Sequence, residues 1–192
     1  MLRTFRLVLV AAAALAAVPA YAREKVEYSG DASAGTIVVQ TEERALYLVT
    51  GRGHAIKYPV GVGRSGQQWF GRTRIVSKHI KPAWKPPASI RGNRSPDFVI
   101  ESGSPRNPMG AAALVLADNE LAIHGTNNPS SIGGFVSAGC IRMYNKDIMD
   151  LYERVGVGTR VVFARGAPVI ADSARAGSPP AKSTAESSLG TQ

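Results

Sequence analysis

The chain has 192 residues, a formal net charge of +9 and one cysteine. A basic balance of this size suits nucleic acid, a membrane surface or an anionic polymer, but the basic residues are scattered and not interleaved with aromatic residues, which argues against a nucleic-acid groove. A single cysteine excludes an internal disulfide bond, so its thiol is either buried and inert or chemically used.

The first residues have the features of a secretory signal peptide. Two arginines precede an apolar run over residues 7–18, which is too short to cross a bilayer comfortably, and residues 20–22, Ala-Tyr-Ala, form an A-x-A cleavage site. We therefore predict that residues 1–22 are removed and that the mature protein begins at Arg23. Export argues against nucleic acid as a partner, and cleavage argues against stable membrane insertion. The alternative is an uncleaved N-terminal anchor.

Composition divides the rest of the chain into three parts. Residues 23–35 are interpreted as a short spacer and residues 36–164 as the folded body, whereas residues 165–192 are rich in Ala, Ser, Pro and Gly without apolar periodicity. Such a tail is typical of a disordered segment. The body is long enough for one hydrophobic core and too short for two domains.

Seven segments of the body carry the β-branched or alternating apolar pattern of β-strands. In chain order they are TIVVQT, RALYLV, HAIKYPVGVG, GRTRIVSKHI, AALVLA, ELAIHG and TRVVFA. Turn signals lie between them at residues 42–43, 51–53 and 118–119. These segments predict a mainly β fold.

One later segment, NKDIMDLYERVG, has helical periodicity instead. Its apolar positions share one face, and they are Ile148, Leu151, Tyr152 and Val155. Asn145 is the predicted N-cap and Gly156 the predicted stop. The sequence therefore predicts a single short helix packed on the β structure.

The only cysteine, Cys140, lies in a segment of small and turn-forming residues that follows His124. His124 ends an apolar strand, and a loop that leaves a strand and returns beside it can bring an imidazole against a thiol. An imidazole within hydrogen-bond reach activates the thiol and carries its proton. Gly139 permits a tight turn in which the N–H groups of Gly139 and Cys140 point at an oxyanion. The alternative is a buried, inert thiol.

A zinc site would compete for the same two side chains. The sequence argues against it, because His54 and His79 lie in different strand patterns and no second cysteine is present. We therefore predict no metal, and we interpret His54 and His79 as surface or strand residues.

The segment HGTNNPSSIGGFVSAGCIRMYNKDI resembles the active-site signature of the L,D-transpeptidase (YkuD-like) family, in which HGT, a glycine-containing loop and S-[HA]-G-C-[IV]-R-[ML] recur at about this spacing. GTIVVQTEERALYLV is similar to the opening hairpin, PAWKPP to the W-x-P-P segment, and NPMGAAALVL to the strand that precedes the histidine. The resemblance covers residues 36–164. It implies a β-sandwich-like catalytic domain with one short helix after the catalytic loop.

The resemblance also implies the catalytic roles. Cys140 would be the nucleophile and His124 the base, the backbone carbonyl of Ser137 would orient the imidazole, and Gly139 would form the catalytic turn. Arg142 would hold the catalytic loop or a substrate carboxylate, for which its planar fork is suited, unless it forms a surface salt bridge.

Further residues are expected around this centre. Gly125 and Thr126 are assigned to substrate binding and, with Ser131, to shaping the loop. Trp84 and Tyr144 either line the stem-peptide groove or are structural.

One position departs from the commoner family pattern. Many members have histidine where this chain has Ala138. A position beside the catalytic turn can contribute through its backbone, and alanine keeps that backbone. The departure therefore bears on substrate preference more than on activity.

The resemblance implies a periplasmic enzyme of peptidoglycan cross-linking or remodelling. In the family scheme the thiolate acylates on the tetrapeptide stem at the L-centre of its third residue, expelling the terminal D-alanine, and an amine takes the acyl group without any cofactor. The acceptor could be a second stem, an envelope lipoprotein or a free D-amino acid. An L,D-carboxypeptidase would share every residue and use water, whereas a non-catalytic envelope-binding module would leave Cys140 unreactive.

Overall fold

The computed structural model describes residues 23–117 and 121–166. The predicted signal peptide, the turn predicted at residues 118–119 and nearly all of the predicted tail lie outside the described residues. Within the described part of the chain, no helix has the length and apolar character needed to span a bilayer.

Short β-strands dominate the described chain, which confirms the predicted mainly β fold. They are β1 Glu24–Glu27, β2 Ile37–Gln40, β3 Ala45–Gly51, β4 His54–Gly63, β5 Gly71–Ile80, β6 Ala112–Leu116, β7 Ala122–His124, β8 Phe135–Ser137, β9 Ile141–Met143 and β10 Arg160–Ala164. The helices are α1 Ala88–Arg91 and α2 Asn145–Arg154, and a 3₁₀ turn spans Pro129–Ser131. Each of the seven predicted strand segments contains a strand, and α2 is the predicted helix after the catalytic loop.

The strands close on one another. Their order is β4-β3-β2-β10-β5-β6-β7-β9, and β9 pairs back onto β4. Most neighbours are antiparallel, but β10 runs parallel to β2 and β9 runs parallel to β7. The closing pair gives the predicted sandwich-like fold the form of a barrel.

Residues before the barrel form a strand as well, which corrects the predicted spacer over residues 23–35. β1 pairs with β4, with Glu24 opposite Lys57, and Tyr28 is buried with its ring centroid 6.2 Å from that of Tyr47. The sequence EKVE contains only one apolar residue, Val26, so alternation alone did not predict this strand.

The two faces of β2 and β3 carry two apolar clusters. Ile37, Val39, Leu46 and Leu48 belong to the larger cluster, and Val38, Ala45, Tyr47 and Val49 belong to the smaller one. Both faces are covered, so these strands consist of nearly continuous apolar residues. Each buried side chain of this size stabilises the fold by roughly 1.5–3 kcal/mol relative to an exposed one.

The helix α2 covers one end of the larger cluster. Its apolar face inserts Ile148 and Leu151, both fully buried, and it packs against β6. The predicted N-cap is wrong by one residue, because Tyr144 occupies the cap and Asn145 is the first helical residue. The side chain of Asn145 makes other hydrogen bonds, which position the candidate site.

Candidate active site

Neighbouring strands bring the predicted catalytic residues into one cavity. In the strand register His124 of β7 lies opposite Arg142 of β9, and Cys140 comes directly before β9. A cavity of about 830 Å³ opens over this edge. Five predicted residues line it, namely His124, Ser137, Ala138, Cys140 and Arg142.

His124 is 4% exposed, and its Nδ1 lies 2.6 Å from the backbone oxygen of Gly125. A carbonyl oxygen can only accept, so Nδ1 carries the proton and Nε2 keeps the lone pair. Burial lowers the pKa of His124 to about 4; the carbonyls of Gly125 and Pro108 oppose this shift, and the Arg142 guanidinium adds to it. The imidazole is therefore neutral at pH 7 and suited to accept a proton.

Arg142 is the cation beside the half-buried Cys140. Burial lowers the pKa of the Arg142 guanidinium from its usual value, Cys140 acts in the opposite direction, and Arg64 acts in the same direction as burial. The sulfur and the guanidinium therefore interact electrostatically, and a nearby cation stabilises a thiolate. Arg142 belongs to none of the ion pairs within residues 23–117 and 121–166, so a surface salt bridge is not its role here.

The Ser137 side chain closes the turn that presents Cys140. Its hydroxyl donates to the backbone carbonyl of Cys140 at 2.6 Å and accepts from the N–H of Gly139 at 3.0 Å. Ser137 is 3% exposed, so these bonds are shielded from water. One buried hydroxyl thus fixes the backbone on both sides of Ala138.

These hydrogen bonds correct two predicted backbone roles. The N–H of Gly139 donates to Ser137 and is therefore not the expected oxyanion donor. The carbonyl of Ser137 accepts from the N–H of Arg64 at 3.0 Å, and the carbonyls that act on the imidazole are those of Gly125 and Pro108. Ser137 shapes the site through its side chain, which the sequence pattern did not indicate.

Asn145 ties the loop after His124 to helix α2. Its Oδ1 accepts from the N–H groups of Ala111 at 3.0 Å and Thr126 at 3.1 Å, and its Nδ2 donates to the carbonyl of Thr126 at 3.1 Å. A Cβ at Gly125 would collide with Asn145 Oδ1. Sequence reasoning missed this role, since an asparagine at a helix start is ordinarily interpreted as a cap.

The predicted loop residues shape this scaffold. Gly125 and Thr126 are not among the described residues that line the cavity, so the structure gives no support to their assignment as substrate contacts. Thr126 is buried, and its hydroxyl accepts from the N–H of Asn128 at 3.0 Å. Ser131 is also buried and donates to the carbonyl of Asn128 at 2.7 Å. Together they hold the loop between His124 and Cys140.

Residues of the segment 82–91, here called the cover segment, form another part of the cavity lining. Trp84 of this segment lines the cavity, as one of its two predicted roles required, whereas Tyr144 is not among the described lining residues. His79 of β5 also lines the cavity, which its interpretation as a plain strand residue did not anticipate. Its position opposite Ala113, which is itself opposite His124, places it on the same face of the sheet.

The arrangement can perform nucleophilic chemistry with a thiol. It combines a half-buried sulfur, a cation within electrostatic range of it, and a neutral imidazole on the adjoining strand. Within the described residues, no three or more His, Cys, Asp or Glu side chains group closely enough to hold a metal ion.

Comparison with known proteins identifies relatives of this domain. The chain is 37% identical over 137 residues to Probable L,D-transpeptidase YbiS of Escherichia coli K12, covering 67% of this chain and 44% of that protein. It is 52% identical over 110 residues to YkuD of Bacillus licheniformis, also named as an L,D-transpeptidase, covering 55% and 65%. The chain thus spans less than half the length of YbiS.

A solved structure shares the fold. L,D-transpeptidase 3 of Mycobacterium tuberculosis matches with a TM-score of 0.51 at 18% identity, covering 68% of this chain and 60% of that one. Residues 34–163 match the family described as the L,D-transpeptidase catalytic domain, YkuD. That match extends over most of the chain and contains every residue of the site described above, so this protein belongs to the L,D-transpeptidase catalytic domain family.

Proposed function

We propose that this domain is a peptidoglycan L,D-transpeptidase that uses Cys140 to form an acyl-enzyme with a tetrapeptide stem and passes the acyl group to an amine. One observation carries the proposal. Cys140, His124 and Arg142 line one cavity, with His124 and Arg142 directly opposite each other on adjacent parallel strands. Family membership supports the reaction class, and the site supplies the groups that it needs.

The first half of the reaction forms a thioester. The sulfur of Cys140 attacks the carbonyl carbon at the L-centre of the third stem residue, and His124 takes the thiol proton. The amide C–N bond then breaks, and His124 returns the proton to the leaving amine of D-alanine. Arg142 supplies positive charge near the sulfur and the developing oxyanion.

The second half resolves the thioester. An acceptor amine gives a proton to His124 and attacks the thioester carbonyl. The C–S bond breaks to release the new amide and the Cys140 thiolate, and His124 then passes the proton to the sulfur, which restores the neutral imidazole and the thiol. The neutral imidazole required for this step is the form that burial favours at pH 7. The acceptor is proposed to be a second stem, a lipoprotein or a free D-amino acid. Each of these acceptors attacks through an amine nitrogen.

The test is mass spectrometry of stem peptides after incubation with the protein from Arg23 to Gln192, with and without an added amine. We expect loss of D-alanine and a new amide when the amine is present. Hydrolysis alone in the presence of amine would instead identify an L,D-carboxypeptidase.

A second experiment addresses the nucleophile. Carbapenems, whose strained acyl group imitates the stem carbonyl, are expected to add covalently to Cys140, and Cys140→Ala is expected to abolish both the adduct and turnover. Ser130→Ala, an exposed loop substitution, is the matched control and should keep both. An adduct on Cys140→Ala would show that another residue is the nucleophile, and an unreactive native thiol would indicate a binding module.

We also propose that the protein works in the periplasm after removal of residues 1–22. The A-x-A pattern before Arg23 supports this, and the substrate proposed here lies outside the cytoplasm. N-terminal analysis of the exported protein should give Arg23 or a residue within one or two of it, and intact Met1 would contradict the proposal.

A further inference from the structure

The active-site cavity extends well beyond Cys140 and His124. Its floor follows a row of cross-strand neighbours, His79 on β5, Ala113 on β6, His124 on β7 and Arg142 on β9. Neighbouring strands lie about 4.8 Å apart, so His79 is roughly 10 Å from His124 across the sheet. An extended peptide advances about 3.3–3.6 Å per residue, so this trough accommodates about three residues beyond the reacting carbonyl.

Basic residues other than Arg142 also line this cavity. Lys85 and Arg91 of the cover segment line the cavity together with His79 on the floor, and these three residues are called the outer basic cluster. His79 has one ring nitrogen 3.0 Å from Ser77 Oγ, a contact that orients the ring. Lysine and arginine are cationic side chains, so at least two positive charges border the trough.

No acidic side chain faces the cluster from the lining of the cavity within residues 23–117 and 121–166. The ion pairs in the same residues involve Arg23, Lys57 and Arg154, and none involves Lys85 or Arg91. A partly enclosed cavity with cations and without facing anions creates a positive potential that favours an anionic ligand group.

Apolar residues also line the trough, and the side chains on its floor are small. Ala113 and Ala122 form the floor, while Trp84, Ile90 and Leu121 contribute apolar surface. Small floor residues leave room for a peptide backbone, and apolar walls exclude water from it. The trough therefore joins the reacting centre to His79, about 10 Å away across the sheet, and Lys85 and Arg91 line the same cavity.

We propose that the outer basic cluster binds a carboxylate of the acyl-donor peptide that is remote from the scissile amide, and so selects acidic stems over stems whose carboxylates are converted to carboxamides. This inference rests on the proposed function for the identity of the donor. A carboxamide has the same shape as a carboxylate but no charge, so the discrimination comes from Lys85 and Arg91. The carboxylate accepts charge-assisted hydrogen bonds from these side chains.

The test uses a matched pair of synthetic stem tetrapeptides, one with free carboxylates away from the scissile amide and one with carboxamides there. Binding is measured calorimetrically on Cys140→Ala, so that no turnover is needed, and acylation is measured on the native thiol. We expect the acidic peptide to bind about tenfold more tightly, a difference of about 1.4 kcal/mol. The KM of acylation should likewise be lower for the acidic peptide. The kcat values for the two peptides should agree within about twofold.

The variants Lys85→Gln and Arg91→Gln, alone and combined, should remove the preference by weakening binding of the acidic peptide only. Arg106→Gln is the matched control, since Arg106 is exposed and is not among the cavity-lining residues. Equal binding of the two peptides to the unmodified cluster, or an unchanged preference in the double variant, would overturn the inference. Carboxylate-selective binding without acylation of the native thiol would support the subsite and contradict the proposed transpeptidase activity instead.

Discussion

Gly139 precedes Cys140 with a φ of +128°, a backbone conformation that residues with a Cβ rarely adopt. A Cβ at this position would lie 2.9 Å from Leu121 Cδ2 and 3.3 Å from the Gln67 carbonyl. Ala138, one residue earlier, is exposed and lines the cavity. The two neighbours of Cys140 on its N-terminal side therefore differ in what they tolerate.

This contrast predicts unequal effects of substitution. Ala138→His should keep the rate of Cys140 acylation within roughly tenfold, about 1.4 kcal/mol in the barrier, because its side chain points into open space. Gly139→Val should reduce that rate by on the order of 100-fold or more, since displacing a catalytic group by an ångström has effects of that size. The measurement is single-turnover acylation by a carbapenem, followed by mass spectrometry.

Circular dichroism of both variants provides the control for folding. A normally acylated Gly139→Val protein together with an inactive Ala138→His protein would show that side-chain volume at position 138, and not the backbone turn, governs the site.

The residue types of the site could be predicted, but their hydrogen-bond partners could not. His124 and Cys140 were recognisable because a base and a lone thiol flank a loop that returns to its strand. The hydrogen bonds from Ser137 depend on side-chain rotamers within that loop, and the protonation of His124 depends on its burial. Neither property has a sequence period, so both required the structure.

At the scale of elements, α2 does more than cover the core. Its first residue, Asn145, holds the backbone at Ala111, directly before β6, and at Thr126, two residues after His124. The buried face of the helix fixes Asn145, and Asn145 fixes the loop. Packing of the helix is therefore linked to the position of His124.

Removing this link should affect both stability and rate. Asn145→Ala leaves two backbone N–H donors without their partner, and we expect it to lower the free energy of unfolding by about 2–3 kcal/mol and to slow acylation. Asn145→Asp keeps an acceptor and loses only the donor to Thr126, so its cost should be about 1 kcal/mol. Urea denaturation measures the first quantity and single-turnover acylation the second.

Asn127→Ala is the matched control, because Asn127 is exposed and makes one hydrogen bond, to the carbonyl of Pro105. It should change stability by less than about 1 kcal/mol. If Asn145→Ala proved no more destabilising than this control, the proposed link between α2 and the loop would be wrong.

Strands could be predicted from the sequence where they were long enough to show an apolar pattern. β4 and β5 have ten residues each, and the segments that form them were recognisable from the sequence. β8 and β9 have three residues each and lie among glycine, serine and alanine, so too few positions exist to reveal alternation. Their pairing with β4 and β7 comes from long-range contacts that no local pattern encodes.

At the scale of the molecule, folding places an ionisable group where water does not reach. His124 is buried at the strand end and its pKa is lowered from 6.5 to about 4, so the unfolded chain binds a proton there at pH values at which the folded chain does not. Its contribution to stability is therefore complete above about pH 6.5 and declines as the pH falls toward 4. The full decline corresponds to about 3 kcal/mol.

Replacing His124 should make the free energy of unfolding less dependent on pH. His124→Gln is expected to lose less stability than the native protein between pH 7 and pH 4, by up to about 3 kcal/mol, because the proton-binding difference at this site is gone. Chemical denaturation at a series of pH values measures it. Asn127→Ala, at an exposed position without a titratable group, should retain the native slope, and identical slopes for all three proteins would contradict a buried neutral imidazole.

The position of β10 has a kinetic consequence. This strand, almost at the end of the described chain, inserts between β2 and β5, so the hydrogen-bonding edges of both early strands lack their partner until residues 160–164 have been made. Contacts between such distant parts of a chain form slowly, because a long loop must close before they are gained. A nascent polypeptide of this topology therefore cannot complete its sheet before residues 160–164 have been synthesised. Until then the valine-rich edge of β2 is open to intermolecular pairing.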